Sequence, residues 1–132
     1  MAFALSQIGQ ISLTVDDVDA AERFYAEILG LRKLFRFGDL VFFDCAGVRL
    51  YIQTANTNPF VPASSALYFR TPDIGIAFRQ LKAKGVAFID VPHMIAPMED
   101  HDLWMVFFKD PAGNTHALMH EAPKGFTPKV EP

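Results

Sequence analysis

The sequence predicts an α+β fold built from two tandem β-α-β-β-β modules. Two segments of the first half return in the second half in the same order: residues 41–47 (VFFDCAG) match residues 107–113 (FFKDPAG), and residues 15–23 match residues 71–79. The second match contains three identical pairs, namely Asp17/Asp73, Ala21/Ala77 and Arg23/Arg79. A supersecondary unit used twice has to bury its two apolar faces together, and the place where the modules meet is then the expected ligand site.

Length and composition restrict the class of protein. With 132 residues, of which 51% are hydrophobic, the chain 1–132 is expected to form one domain with a sizeable core. No apolar run approaches the roughly 18–20 residues of a membrane span, and no signal peptide is evident. The single cysteine, Cys45, cannot form an internal disulfide, which favours the reducing cytoplasm. A net charge of −3 without a basic cluster argues against nucleic-acid binding.

Module one, about residues 7–55, opens with a strict alternation over residues 8–15 that indicates a half-buried strand. Asp16 and Asp17 offer an N-cap for a helix that begins at Val18 and is stopped by Gly30. Turn residues then separate three further strands, predicted over 31–37, 40–44 and 48–54.

Module two, about residues 66–121, follows a linker predicted over 56–65, where Pro59 and Pro62 interrupt any periodicity. A strand over 66–71 precedes a helix over 73–84 that Gly85 ends. The remaining elements are a strand over 86–91, a long loop over 92–102, strands over 103–108 and 115–120, and an extended tail over 122–132.

This tandem pattern resembles the glyoxalase/bleomycin-resistance/dioxygenase group, the vicinal oxygen chelate superfamily. The residues that carry the match are 10–17 (QISLTVDD), 24–25 (FY), 29–31 (LGL) and 107–114 (FFKDPAGN), within a resemblance that covers about residues 7–121. The resemblance implies two modules whose sheets curl around one cavity, commonly in a homodimer. It leaves the reaction open, since the superfamily hosts lyases, epimerases, ring-cleaving dioxygenases and drug-sequestering binders.

The resemblance also implies where a metal would bind, because metal-dependent members take His, Glu or an occasional Gln from the first and last strand of each module. The corresponding residues here are Gln10, Tyr51, Ala66 and Ala117. Only Gln10 is a ligand type of that family, and divalent ions need imidazole or carboxyl-type donors. We therefore expect neither the inherited metal site nor another cofactor.

A rearranged metal site is an alternative that the sequence leaves open. His93, Glu99, Asp100, His101 and Asp102 crowd the predicted loop, and two histidines with a carboxylate could bind a divalent metal or act as a general base. The same loop is also consistent with a solvated acidic surface. His116 and His120 share the parity of Leu118 and are expected to be structural.

Strand alternation predicts which side chains face a ligand. If Ile11, Leu13 and Val15 pack under the helices, the opposite face carries a set rich in hydroxyl and amide groups with two arginines, which suits a small polar or anionic organic ligand. The candidate ligand-binding residues are Gln10, Ser12, Arg49, Tyr51, Tyr68, Arg70, His101 and Trp104. Arg49 and Arg70 could instead extend into solvent from the rim, and Trp104 could instead belong to the core.

The leading hypothesis is a small-molecule-binding member of the superfamily that lacks the metal site. A metal-dependent lyase or dioxygenase with a non-inherited ligand set, such as His93 and His101, is the second hypothesis. The third is a dimeric interaction module without catalysis. No catalytic residue can be named from the sequence.

Overall fold

A computed structural model describes Ser6, residues 8–54 and residues 66–131 of the chain. The chain divides into two compact units, Met1–Ser64 and Ser65–Pro132. The predicted linker 56–65 lies outside the described residues. Each unit combines a mixed β-sheet with one main helix, which confirms the α+β class.

Unit 1 has the predicted β-α-β-β-β order. Its elements are β1 (Gln10–Val15), α1 (Val18–Arg23), a π-helical turn (Phe24–Ile28), β2 (Arg32–Phe37), β3 (Leu40–Cys45) and β4 (Val48–Thr54). The strand order is β1-β4-β3-β2, with β1 parallel to β4 and the other pairs antiparallel. The crossover through α1 therefore places the first and last strand of the unit side by side.

Local sequence chemistry explains where α1 begins and where the chain turns. The Asp17 side chain accepts a hydrogen bond from the Ala20 N–H at 3.1 Å and so caps the helix. Between β3 and β4, Ala46 and Gly47 both have positive φ, of 50° and 97°, as a tight hairpin turn requires. One detail differs from the predicted helix: the Leu29 N–H donates to the Phe24 carbonyl oxygen, five residues back, at 2.9 Å. Apolar periodicity over five residues does not distinguish a π turn from an α turn.

One face of the unit 1 sheet packs under the helix and forms the core of the unit. The Tyr25 ring, fully buried, lies 6.1 Å from the Phe43 ring. The buried residues that this sheet contributes on the same face are Leu13, Val15, Val41, Phe43, Leu50 and Ile52. The helix thus covers one face, as the alternation predicted, and the ligand candidates lie on the other.

Unit 2 repeats this plan with one additional strand. Its elements are β5 (Tyr68–Arg70), α2 (Ile74–Ala83), β6 (Ala87–Phe88), β7 (His93–Pro97), β8 (Asp102–Lys109) and β9 (Thr115–Ala122). The main path is β5-β9-β8-β6, with β5 parallel to β9, and β7 also pairs with β8. The Asp73 side chain caps α2 by accepting from the Ile76 N–H at 3.1 Å, so both units use the same cap.

Strand β7 corrects the prediction of a structureless loop over 92–102. It pairs antiparallel with β8, from His93 opposite Met105 to Pro97 opposite Asp102, with a bulge between Met94 and Ala96. Prolines at both ends and the bulge conceal the alternation in the sequence, and the strand depends on its pairing with β8.

The structure places His116 and His120 inside unit 2, as expected of structural histidines. His116 is fully buried and its Nδ1 accepts a hydrogen bond from the Leu67 N–H at 3.1 Å. His120 is buried too, with Nδ1 3.4 Å from the Ile74 N–H. No helix in the described part of the chain is long and apolar enough to cross a membrane.

Candidate functional site

Four of the predicted ligand residues share one face of the unit 1 sheet, the face turned away from α1. Lateral partners in a parallel pair point to the same side. The register between β1 and β4 pairs Gln10 with Arg49, Ser12 with Tyr51 and Thr14 with Gln53. The predicted alternation is therefore correct for this face.

Three aromatic rings cross this face and form what we call the aromatic ladder, Phe35, Phe42 and Tyr51. The Phe35 and Phe42 rings are stacked with centroids 4.5 Å apart, and the Phe42 and Tyr51 rings with centroids 4.7 Å apart. The Arg49 guanidinium lies 5.7 Å from the Phe42 centroid, within cation–π range. Phe35 and Phe42 were not among the predicted residues, because the alternation was followed along β4 and not across the sheet into β3 and β2.

The ladder ends at Ser12. Tyr51 has Phe42 as its lateral neighbour on β3 and Ser12 as its lateral neighbour on β1. A serine side chain is too small to cover a phenol ring. The side of Tyr51 that faces β1 therefore lacks an aromatic neighbour within this sheet, while Gln10 and Arg49 lie one pair further along.

The same face also carries Gln53, whose side-chain oxygen lacks a hydrogen-bond donor among the described residues. Its side chain is 1% exposed, and its Oε1 accepts no hydrogen bond from the described residues. A buried acceptor without a donor costs free energy, of about 1–3 kcal/mol in proteins.

In unit 2, the predicted residues Tyr68 and Arg70 share a face with the matching residues of β9. Tyr68 lies opposite Ala117, which lies opposite Phe107. The Tyr68 and Phe107 rings meet edge to face at 6.3 Å, and Tyr68 remains 52% exposed.

Next to Tyr68 lies a chain of four charged or ionisable groups, which we call the Arg70–His101 cluster: Arg70, Glu121, His101 and Asp100. Arg70 Nη2 is 3.0 Å from Glu121 Oε1, and His101 Nε2 is 3.4 Å from Glu121 Oε2. His101 Nδ1 is 2.7 Å from Asp100 Oδ1, and this hydrogen bond holds the pKa of Asp100 below its usual range. The structure thus joins two predicted residues, Arg70 and His101, through Glu121.

Glu121 was not among the predicted residues, because the last strand was predicted to end at residue 120. In the structure β9 continues to Ala122. Extending the alternation of Thr115, Ala117 and Met119 by one further step would have placed Glu121 on the same face.

The structure does not bring His93 and Trp104 to this cluster. On β8, His93 lies opposite Met105, whereas His101 directly precedes Asp102 at the start of that strand. Met105 and Asp102 are three residues, or about 10 Å, apart along β8. His93 instead contacts the Val91 carbonyl oxygen at 2.8 Å. Trp104 lies on the opposite face, where its ring meets Phe126 at 6.3 Å, so we remove it from the ligand-binding set.

The residues at the family's metal positions supply few donors. Gln10 and Tyr51 lie on the unit 1 face, and in unit 2 Ala66 and Ala117 offer no side-chain donor at all. Within residues 8–54 and 66–131, no group of three or more His, Cys, Asp or Glu residues is gathered so that it could hold a metal ion. This donor set does not fit the inherited metal.

Comparison with protein families gives one match over most of the chain. The model of the Glyoxalase/Bleomycin resistance protein/Dioxygenase superfamily matches residues 7–118. No curated protein sequence matches the chain.

Solved structures give the same fold. A lactoylglutathione lyase from Agrobacterium tumefaciens is 26% identical, with a TM-score of 0.72, over 92% of this chain and 98% of that chain. A member of the glyoxalase/bleomycin resistance protein/dioxygenase superfamily from Sphaerobacter thermophilus is 23% identical, with a TM-score of 0.74, over 89% and 98% of the two chains. A glyoxalase-related enzyme from Fulvimarina pelagi is 23% identical, with a TM-score of 0.71, over 88% of each chain.

Proposed function

Because the chain belongs to the glyoxalase/bleomycin resistance protein/dioxygenase superfamily, we propose that it binds a small polar or anionic organic molecule without that superfamily's metal site. The observation that carries this proposal is the aromatic ladder, which ends at a small residue and is flanked by Arg49. Three stacked rings and a cation on a sheet face suit a ligand with a planar ring and a polar or negative substituent.

The proposal assigns the ligand a specific position. Its ring stacks on the side of Tyr51 that faces Ser12, and so continues the ladder by one member. Arg49 and Gln10, one register pair away, bind its polar substituents. Each stacked aromatic pair stabilises by about 0.5–1.5 kcal/mol, in addition to the free energy gained by burying apolar surface.

Substitution of Ser12 tests this position with a matched control. Thermal unfolding is followed with a panel of aromatic acids, phenols and antibiotics, with the metal chelator EDTA present. We expect selected ligands to raise the Tm of the wild type and of Ser12→Ala, since alanine leaves the space beside Tyr51 open. Ser12→Phe fills that space and should remove the part of the shift that binding beside Tyr51 produces, while the free protein keeps its own Tm.

Two results would contradict the proposal. Ligands that stabilise Ser12→Phe as strongly as the wild type would place binding elsewhere. No response to any ligand would favour a dimeric interaction module.

We expect the protein to act in the cytoplasm as a homodimer, and sedimentation analysis of the purified chain checks the dimer.

A metal-dependent lyase or dioxygenase is the second candidate, and the Arg70–His101 cluster is the observation that favours it. Asp100 holds His101 Nδ1, and the other ring nitrogen faces the Glu121 carboxylate, so that one nitrogen and one oxygen donor lie together. The similarity to a lactoylglutathione lyase supports the same candidate. Metal analysis of protein purified without chelator decides: about one divalent ion per chain, lost on His101→Ala, would establish this candidate over the metal-free one.

A further inference from the structure

We infer that Glu121 occupies the place of a ligand carboxylate between Arg70 and His101, and that an organic monocarboxylate binds unit 2 by displacing it. This inference extends the proposed function by naming a chemical class of ligand and a built-in competitor for it. It concerns unit 2 alone and does not require the aromatic ladder.

The structure itself shows a carboxylate held in this position. One oxygen of Glu121 lies 3.0 Å from Arg70 Nη2 and the other lies 3.4 Å from His101 Nε2. The Arg70 guanidinium and the His101 ring nitrogen lie beside the two oxygens of one carboxylate and form what we call the cradle, in which Arg70 makes a charge-assisted contact. Any carboxylate that reached the same two groups would find the same contacts.

Asp100 orients the His101 side of the cradle, whereas Arg70 and its ion-pair partner Glu121 are exposed. Asp100 accepts from His101 Nδ1 at 2.7 Å, which orients the ring so that Nε2 points to Glu121. In contrast, the Arg70 and Glu121 side chains are 73% and 39% exposed. Exposed ion pairs stabilise proteins little, because both charges stay hydrated in either state. Exchanging Glu121 for a ligand carboxylate therefore has a small cost.

The other acidic groups beside the cradle already have partners. Of the described acidic groups near it, Asp100 contacts His101 from the other side, and Asp102 is paired with Lys124 at 3.2 Å. An open surface depression of about 550 Å³ adjoins the cradle and is lined by Arg70, Thr71, Pro72, His120 and Glu121. That volume is within the range of small-molecule sites.

Glu121→Gln in the full-length chain tests the inference, with benzoate as the probe and benzamide as its neutral counterpart. NMR titration follows the Arg70 side-chain N–H and the backbone amides of residues 120–122. We expect Glu121→Gln to bind benzoate about fivefold more tightly than the wild type. This factor corresponds to the free energy of one exposed ion pair, which no longer competes with the ligand. Benzamide binding should stay unchanged, and Arg70→Gln added to Glu121→Gln should remove the gain.

Glu99→Gln is the matched control, since Glu99 is an exposed glutamate of the same unit with no ion pair among the described residues. It makes the same change in net charge and should leave benzoate affinity unaltered. Equal gains in Glu99→Gln and Glu121→Gln would overturn the inference, since they would reflect net charge alone. Unchanged or weaker benzoate binding in a folded Glu121→Gln would also overturn it.

The outcome is separable from that of the proposed function. The proposed function predicts shifts of the Tyr51 ring that Ser12→Phe removes, whereas this inference predicts shifts at Arg70 that depend on Glu121. Either set of shifts can be present without the other.

Discussion

The backbone of Lys129 lies directly against Gly75 in the first turn of α2. A Cβ added to Gly75 would be 2.7 Å from the Lys129 carbonyl oxygen and 2.8 Å from its nitrogen. The same carbonyl oxygen accepts a hydrogen bond from Arg79 Nε at 3.0 Å. The C-terminal segment of unit 2 thus packs against α2 at Lys129, and this contact explains why the helix has glycine at position 75, although glycine costs a helix about 1 kcal/mol relative to alanine.

Gly75→Ala is expected to destabilise the protein, although alanine favours helices. The added methyl group must displace the backbone at Lys129, and overpacking of this kind costs about 1–3 kcal/mol. Urea unfolding measures the loss. In a chain truncated after Phe126 the obstacle is absent, so the same substitution should instead stabilise by about 0.5–1 kcal/mol. Equal effects in both backgrounds would contradict the contact.

Asp102 is expected to anchor the same C-terminal segment in a pH-dependent way. Its Oδ2 accepts from the Gly125 N–H at 3.2 Å, and this hydrogen bond, with Lys124, holds the pKa of Asp102 below its ordinary 3.8. A lowered carboxyl pKa stabilises the fold above the unfolded-state value and loses that effect as the pH falls through the folded-state value. Asp102→Asn should therefore lower the free energy of unfolding at pH 6, and the difference from wild type should shrink below pH 4. A difference that is constant with pH would contradict this role.

His116 is expected to make unit 2 sensitive to mild acid. Burial lowers the pKa of its imidazole below the ordinary 6.5, and Nδ1 has to stay unprotonated to accept from the Leu67 N–H. The unfolded chain then binds more protons than the folded one, so stability is complete above pH 6.5 and falls as the pH decreases toward the folded-state pKa. His116→Asn keeps an acceptor but does not titrate. Unfolding across this range should show a shallower pH dependence in His116→Asn than in the control His93→Asn, and identical slopes would refute the assignment.

Local chemistry made most of the fold predictable. The caps at Asp17 and Asp73 and the turn at Ala46 and Gly47 depend on residues within three or four positions, and the structure confirms them. Strand β7 depends instead on pairing with β8 across a bulge, which local propensity does not encode.

The candidate site was predictable only as far as alternation could be extended. Alternation correctly grouped Gln10, Ser12, Arg49 and Tyr51, whose positions follow from the register of β1 and β4. It did not supply Glu121, because the last strand was predicted to end at residue 120, whereas pairing with β8 extends it to Ala122. Trp104 was included for its aromatic character, whereas its parity places it with His120 on the other face.

The most direct measurement of the central claim is an NMR titration of the Tyr51 ring with an aromatic carboxylate in the presence of EDTA. The account predicts saturable shifts of the Tyr51 resonances in the wild type and in Ser12→Ala, and none in Ser12→Phe. Shifts that arise only after a divalent metal is added, or that persist in Ser12→Phe, would contradict it.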